Sequence, residues 1–440
     1  MMEWRRKYVI KSYVRSAVWL APLLAYATSF VLIRLLTWLD DRLGWDWSWT
    51  IEIGVAQSML QVFVAAMLSF IVFTSSSMLV AIQIASAQLT PRIIATALLR
   101  DNTIRSVIAL FVLTFTFNLG VLARTQSDLP YLIFTVALML TIVSVAAFLY
   151  LIDYSARLLR PVTIVWLLGE RGLGVMDEIY PAKVRDNRTM VAPPALDGPT
   201  VEVRHRRTSA IVLAVDLETM KREAAHTGGV IELAIRVGDF VATGEVLYRL
   251  HGKAMQANET LLRQAIAMGR ERTIEQDPTF AFRIIVDIAL KALSKAINDP
   301  TTAVLAIDQL HRLLRIIGRR HLHEDFIAID GGGWIVLKTP DWSDFVELSC
   351  REIRFYGAEN FQVARRLRAM LENLIEVLPG HRAPLLRREL DLLDQAIDRA
   401  HALADDRALS RVPDLQGLGS TARAAASSRV GYEPSGKASS

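Results

Sequence analysis

A chain of 440 residues with 52% hydrophobic residues and a mean hydropathy of +0.30 is more apolar than an ordinary soluble protein, and its apolar residues crowd before Asp153. The 50 basic residues are nearly balanced by 45 acidic ones, a net charge of +5, so nothing in the composition calls for a nucleic-acid partner. The single cysteine, Cys350, excludes an internal disulfide and any cysteine-based zinc or iron–sulfur cage, and it fits a reducing compartment.

A bilayer core takes about 20 apolar residues in helical form. Four stretches meet that length, at about 18–39, 55–84, 107–123 and 131–152, and together with their flanks they define a transmembrane region over 1–160. None holds Asp or Glu, and Arg34 lies near enough to an end to snorkel to the headgroups. The triplet Ala25-Tyr26-Ala27 after a basic start resembles a signal-peptide cleavage site, but apolar sequence continues to Leu39, the length of a full span.

Orientation follows the basic residues, which cytoplasmic loops carry in excess. Arg5, Arg6, Lys7, Lys11 and Arg15 precede the first span; the loop after it has only Arg42 against Asp40, Asp41, Asp46 and Glu52. Arg92, Arg100 and Arg105 fall in the second loop, and Arg157 and Arg160 follow the fourth span. The expected arrangement is a multi-pass protein of the bacterial inner (cytoplasmic) membrane with both its N-terminus and its C-terminal region cytoplasmic. Trp38, Trp45, Trp47 and Trp49 form an aromatic belt at the outer surface.

The second span is the unusual one. Its far end carries Thr74, Ser75, Ser76 and Ser77, then Gln83, Ser86 and Gln88, before Pro91 favours a break at Thr90. Small and hydroxyl residues in a span either let helices approach closely or line a water-filled path, and Thr114 and Asn118 of the third span could join them.

After Arg160 the composition changes. Gly169, Gly172 and Gly174, and then a proline-bearing stretch, read as a connector and linker over 161–200. Short β-branched runs mark a small β-rich module over 201–252. Its phrase Val237-Gly238-Asp239-Phe240-Val241 and Gly244-Glu245-Val246-Leu247 resembles the hammerhead hairpins of biotinyl and lipoyl carrier domains over about twenty residues; Lys253 lacks a carrier's Met-Lys context, so the module reads as structural. The next region, 253–408, is expected to be mainly helical, with a hairpin at 326–338 around Gly331-Gly332-Gly333 and a continuous helix over about 344–377. Asp277-Pro278 and Asp299-Pro300 each pair an N-cap acceptor with proline at the first helical position, so they open two adjacent helices. Residues 409–440 are rich in Ser, Ala, Arg and Gly and read as a disordered tail. The fold class expected is therefore an α-helical transmembrane bundle of four helices followed by a soluble α+β region with a small β-rich module and helical hairpins.

Four segments carry a family resemblance. They are Ser77-Met78-Leu79 through Ala85-Ser86 to Pro91-Arg92; Gly238-Asp239-Phe240; Gly269-Arg270-Glu271-Arg272-Thr273 to Gln276-Asp277-Pro278; and Asp287 to Ser294 continued by Ile297-Asn298-Asp299-Pro300-Thr301-Thr302-Ala303. Together they resemble the bacterial membrane proteins of domain-of-unknown-function family 2254. Lys295 departs from that family, which often has proline there. The resemblance implies a membrane-embedded N-terminal region and a soluble C-terminal region, and it carries no activity and no catalytic residue.

Other chemistry is thinly represented. The 169–174 glycines lack the Gly-Lys-Ser/Thr ending of a phosphate loop. His321, His323, Glu324 and Asp325 hold metal-ligating groups in what reads as a solvated turn. No catalytic residue, metal or cofactor is expected. The runs 204–207, 319–320 and 365–366 read as solvated basic faces able to contact anionic lipid. Two polar sets remain as candidate sites: a path along Thr74, Ser75, Ser76, Ser77, Gln83, Ser86, Gln88 and Asn118, and a soluble cluster of Arg270, Glu271, Arg272, Asp277, Asp287, Asn298, Asp299 and Asp308, whose plainer role is capping and ion pairing. The expected function is a homo-oligomeric channel-like or sensory assembly with a cytoplasmic regulatory domain; the alternatives are a membrane scaffold for a protein partner and a membrane-bound enzyme.

Overall fold

The computed structural model describes residues 3–17, 19–43, 51–88, 101–125, 131–158, 160–182, 196, 198–322, 325–330 and 332–418. The chain divides into two compact units, Met1–Ile164 and Val165–Ser440.

In the first unit, a short basic helix α1 (Glu3–Ser16) precedes four long ones: α2 (Leu20–Leu43), α3 (Ile53–Gln88), α4 (Asn102–Leu122) and α5 (Tyr131–Leu158). All four are long and apolar enough to cross a membrane, over Leu20–Asp40, Ile53–Ala87, Asn102–Leu122 and Tyr131–Leu158. Asp101 opens α4 by accepting from the Ile104 amide at 3.1 Å. The α4 helix is the centre of the bundle, packed on α2, α3 and α5. Phe117 meets Ile33, Leu60 and Phe134 in one apolar cluster; Phe111 meets Leu151 and Leu158 in another, beside the stacked rings of Phe70 and Phe148 at 4.1 Å. Trp38 is exposed with Arg42 over its ring; Trp45, Trp47, Trp49, Thr90 and Pro91 lie outside the described residues.

The second unit begins inside α6 (Pro161–Ile179), a helix where a connector was expected. Its glycines do not break it. They are points of close approach: a Cβ on Gly169 would lie 2.5 Å from Gln309 Oε1, and one on Gly172 would lie 3.1 Å from Ala281 Cβ. The β-strands follow as β1 (Thr200–Arg204), β2 (Ala210–Val215), β3 (Val230–Leu233), β4 (Phe240–Val241), β5 (Val246–His251) and β6 (Ile266–Gly269), with α7 (Leu217–Thr227) after β2 and α8 (Glu259–Gln264) before β6. They form a three-stranded sheet β4-β2-β6 and, with β7 (Phe326–Ala328) and β8 (Trp334–Val336), a five-stranded sheet β1-β5-β3-β8-β7. Among the described strands only the β3–β8 pairing is parallel. The expected hairpin is thus present, but the β-structure is larger than 201–252, because β6 and the β7–β8 hairpin complete its sheets over a core of Val212, Met220, Ile231, Leu250 and Ile335.

The helical part comprises α9 (Pro278–Ala292), α10 (Pro300–Ile317), α11 (Trp342–Gly357), α12 (Phe361–Val377), α13 (Ala383–Ala400) and α14 (Ala404–Ser410). Asp277 and Asp299 cap α9 and α10 with proline at the first turn, as their sequence requires. The single helix expected over 344–377 is two: Asn360 turns out of the helix and accepts from the Gln362 and Val363 amides, which opens α12. Residues 409–418, expected to begin the tail, are packed. Arg365 Nε donates to the Val412 carbonyl at 2.9 Å, the Asp414 amide donates to the Arg365 carbonyl, and Gly417 lies against Val304 where a Cβ would come within 2.5 Å. Residues 419–440 lie outside the described residues.

Candidate functional site

The α3 residues of the polar path do not share one face. At 100° per residue, Ser76 and Gln83 lie together, Ser75 and Ser86 to one side, and Thr74 and Ser77 on the far side. Ser75, Ser76, Ser77 and Gln83 are exposed, Ser86 is half-buried and Thr74 is buried; the side chain of Gln88 lies outside the described residues. Asn118 is not joined to them. Its Nδ2 donates to Thr141 Oγ1 at 3.0 Å, and one turn away Thr114 and Ser144 share a hydrogen bond at 2.9 Å, so these fully desolvated groups clamp α4 to α5.

The exposed face of α3 has an order that the sequence reading missed. Ser58, Val62, Ala65, Ser69, Val72, Ser76, Leu79 and Gln83 recur at alternating steps of four and three, the spacing of a coiled-coil seam, and every one is exposed. Five of the eight are Ser, Ala or Gln. The signal was available as a heptad, but a run in which Ile, Leu, Val, Phe and Ala fill almost every other position hides a seam made of small residues.

In the second unit the soluble cluster separates into five places. Arg270 and Glu271 are exposed. Arg272 Nε donates to Asp277 Oδ2 at 2.5 Å; Asp277 Oδ1 accepts from the Phe280 amide and from Thr279 Oγ1; and the Arg272 guanidinium occupies the space where a Gly238 Cβ would lie, 2.4 Å from Nη2. Gly238 has φ +94°, so two segments of the family pattern meet here, and glycine is needed both for the turn and for the guanidinium. Asp287 and Glu352 share Arg283, which joins α9 to α11. The Arg283 hydrogen bond holds the Glu352 carboxyl below its usual range. Asn298 takes the left-handed conformation at φ +49°, which its short polar side chain tolerates, and Asp299 accepts from the Thr302 amide at 3.1 Å and from Thr302 Oγ1. Lys295 is exposed and forms no ion pair with Asp287 or Asp299 among the described residues.

Asp308 pairs with Arg366 at 2.6 Å, and Arg366 reaches His311 Nδ1. His311 is held below its usual pKa, first by burial and then by Arg366 and Arg315, against the raising effect of the hydrogen bond its Nε2 donates to Asn373 Oδ1. Arg365 and Arg366 are buried, 1% and 7% exposed, so 365–366 is not a solvated basic face. Arg320 pairs with Asp177, and Arg319 donates to the Val377 carbonyl. His323 and Glu324 lie outside the described residues, among which no metal-binding group of three His, Cys, Asp or Glu side chains occurs.

The fold is that of a helical membrane protein: four spanning helices in one unit, and a soluble α+β unit whose polar residues are mostly spent on caps and ion pairs. The family model described as "Predicted membrane protein (DUF2254)" matches residues 15–373, and the chain belongs to that family. It is 29% identical to uncharacterised proteins of Mycobacterium bovis and Mycobacterium tuberculosis, over 95% of this chain and 82% of theirs. No solved structure matches it.

Proposed function

We propose that this protein is a homo-oligomer of the bacterial inner membrane in which α3 of each copy faces the others across a shared polar, channel-like path, with the N-terminus and the C-terminal unit in the cytoplasm as its regulatory part. The observation that carries the reading is the uncovered heptad seam of α3. Small residues allow helix backbones to approach, and a repeat of 3.5 residues keeps the same face toward a partner along the whole length. Gln61 and Gln83, both exposed, lie 22 residues apart, about 33 Å of helix. Ser69 and Ser76 lie between them. Against acyl chains an unpaired amide costs on the order of 2–7 kcal/mol, and water or a second copy removes that cost. Orientation rests on the basic residues of the first and fourth flanks.

Reconstitution in liposomes with ion-flux measurement, beside light scattering of the purified protein, tests this. The expected result is an oligomer that passes a small ion, and Ser76→Trp, which places a large ring on the seam, reduces both. A monomer without flux defeats the proposal. An oligomer without flux removes the path and favours a second reading, a scaffold that binds a protein partner, for which the exposed Phe355 and Tyr356 of α11, at 75% and 57%, are the supporting observation.

A further inference from the structure

A cavity of about 290 Å³ lies in the first unit between α3, α4 and α5. Among the described residues its walls are apolar except for three hydroxyls, Thr74, Ser77 and Ser155, and no charged residue lines it. Phe73 and Ile152 line it and are 55% and 48% exposed, so it reaches the outside of the bundle between α3 and α5. On the α3 wheel it lies about 140° from the heptad seam, so a copy packed on the seam leaves it open.

Thr74 sets this cavity apart from a packing defect. Threonines in spanning helices normally return their hydroxyl to the carbonyl one turn back, as Thr116, Thr135 and Thr141 do here at 2.8 Å. Thr74 is 5% exposed, and its Oγ1 has no hydrogen-bond partner among the described residues. A hydroxyl removed from water and left unpaired has a strong demand for an acceptor. The depth of the cavity names what can supply one. Thr74 is 21 residues into α3 and Ser155 is 24 residues into α5, about 32 and 36 Å along the helices, one hydrocarbon thickness from where each begins. At that level the membrane changes from acyl chain to headgroup, and the adjacent Asp153–Arg157 ion pair on α5 marks the polar side.

We infer that the cavity binds one acyl chain of a membrane glycerophospholipid, with the chain against Phe73, Met78 and Phe148 and its ester carbonyl accepting from Thr74. An ester fits better than the carboxylate of a free fatty acid, because no cation among the described residues lines the cavity to meet a charge. The volume, at the lower edge of the roughly 300–1,000 Å³ of small-molecule sites, suits one chain and not two.

Photo-crosslinking of the full-length protein in nanodiscs tests the inference, using phosphatidylglycerol with a diazirine in one acyl chain and, in a parallel arm, the corresponding free diazirine fatty acid. The phospholipid probe should label peptides holding Phe73, Met78 and Phe148 at least about fivefold more than the lipid-facing Val143 and Leu149, since one hydrogen bond of about 1 kcal/mol corresponds to about fivefold. Ala81→Trp, which fills the cavity, should abolish that excess and leave Val143 and Leu149 labelled as before. Thr74→Val, which keeps the size and removes the hydroxyl, should reduce it about fivefold, and it decides the matter if the tryptophan variant does not fold. Even labelling of cavity and lipid-facing positions overturns the site. An excess unchanged in Thr74→Val overturns recognition through the carbonyl, and an excess confined to the fatty-acid probe overturns the phospholipid.

Discussion

The Arg272–Asp277 pair offers the sharpest test of how the second unit is held together. Asp277 is 2% exposed at its side chain and has two roles at once: it caps α9, accepting from the Phe280 amide and Thr279 Oγ1, and it accepts from Arg272, whose side chain is 35% exposed. Asp277→Ala removes both. The cap is worth about 1 kcal/mol. Stranding the arginine would cost about 3–5 kcal/mol if it were fully buried, and its access to water reduces that to about 2 kcal/mol. The sum, about 3 kcal/mol, lowers the melting temperature of a unit this size by about 6 °C, at about 2 °C per kcal/mol. Asp277→Asn keeps the capping oxygen and loses only the charge, so it should cost about two thirds as much, about 2 kcal/mol. The assay is intrinsic to the chain: Cys350 is its single cysteine, sits fully buried in α11, and has its thiol pKa pushed up by that burial. A thiol-reactive fluorophore added to the full-length protein in detergent therefore reports the unfolding of the second unit and not that of the membrane helices. An Asp277→Ala protein that melts within about 1 °C of the parent would refute the pairing, and an Asn variant as unstable as the Ala variant would show that the charge, not the cap, carries the effect.

Two further predictions use the same assay. Asp299→Ala should cost about 1 kcal/mol and Asp299→Asn a few tenths, because Asn also caps well; a drop in ion flux or oligomer content in Asp299→Asn without a change in melting would instead give the Asn298–Asp299 corner a functional part. For Glu352, whose carboxyl is held low by Arg283, the sign follows from the depressed value: its stabilisation is present above the ordinary carboxyl pKa of about 4.3 and is lost as pH falls through the lower folded value. Glu352→Gln should therefore melt below the parent at pH 7 and converge on it below about pH 4; a gap that persists at acid pH would contradict the ion pair.

What the sequence disclosed and what it withheld divide along a physical line. Properties set by a residue and its near neighbours were legible. Twenty apolar residues make a span wherever they stand, and Asp277-Pro278 and Asp299-Pro300 open helices whatever surrounds them. Properties set by a distant partner were not. Gly169 and Gly172 read as helix breakers in isolation, yet they are the gaps through which α6 meets Gln309 and Ala281. Ile266–Gly269 read as helix because its pairing with β2 is made some fifty residues away in the chain. Asn360 was lost inside a long periodic stretch, although a side-chain acceptor before Gln362 and Val363 is an ordinary helix start.

The same division bears on two segments of the family resemblance whose residues hold each other in place. Gly238 is fixed by the Arg272 guanidinium, Arg272 by Asp277, and Asp277 by the start of α9, so a change at any one of them strands the next. Such a chain leaves a legible trace in sequence without any ligand being involved. The α3 seam is the opposite case. No described residue of the first unit covers it, so nothing described in that unit explains why Ser58, Ala65, Ser69 and Ser76 recur on one face where larger apolar residues would serve equally well against lipid. A constraint with no internal cause points outward, which is why the proposed function rests on α3 and the motif-rich corner of the second unit is assigned to stability.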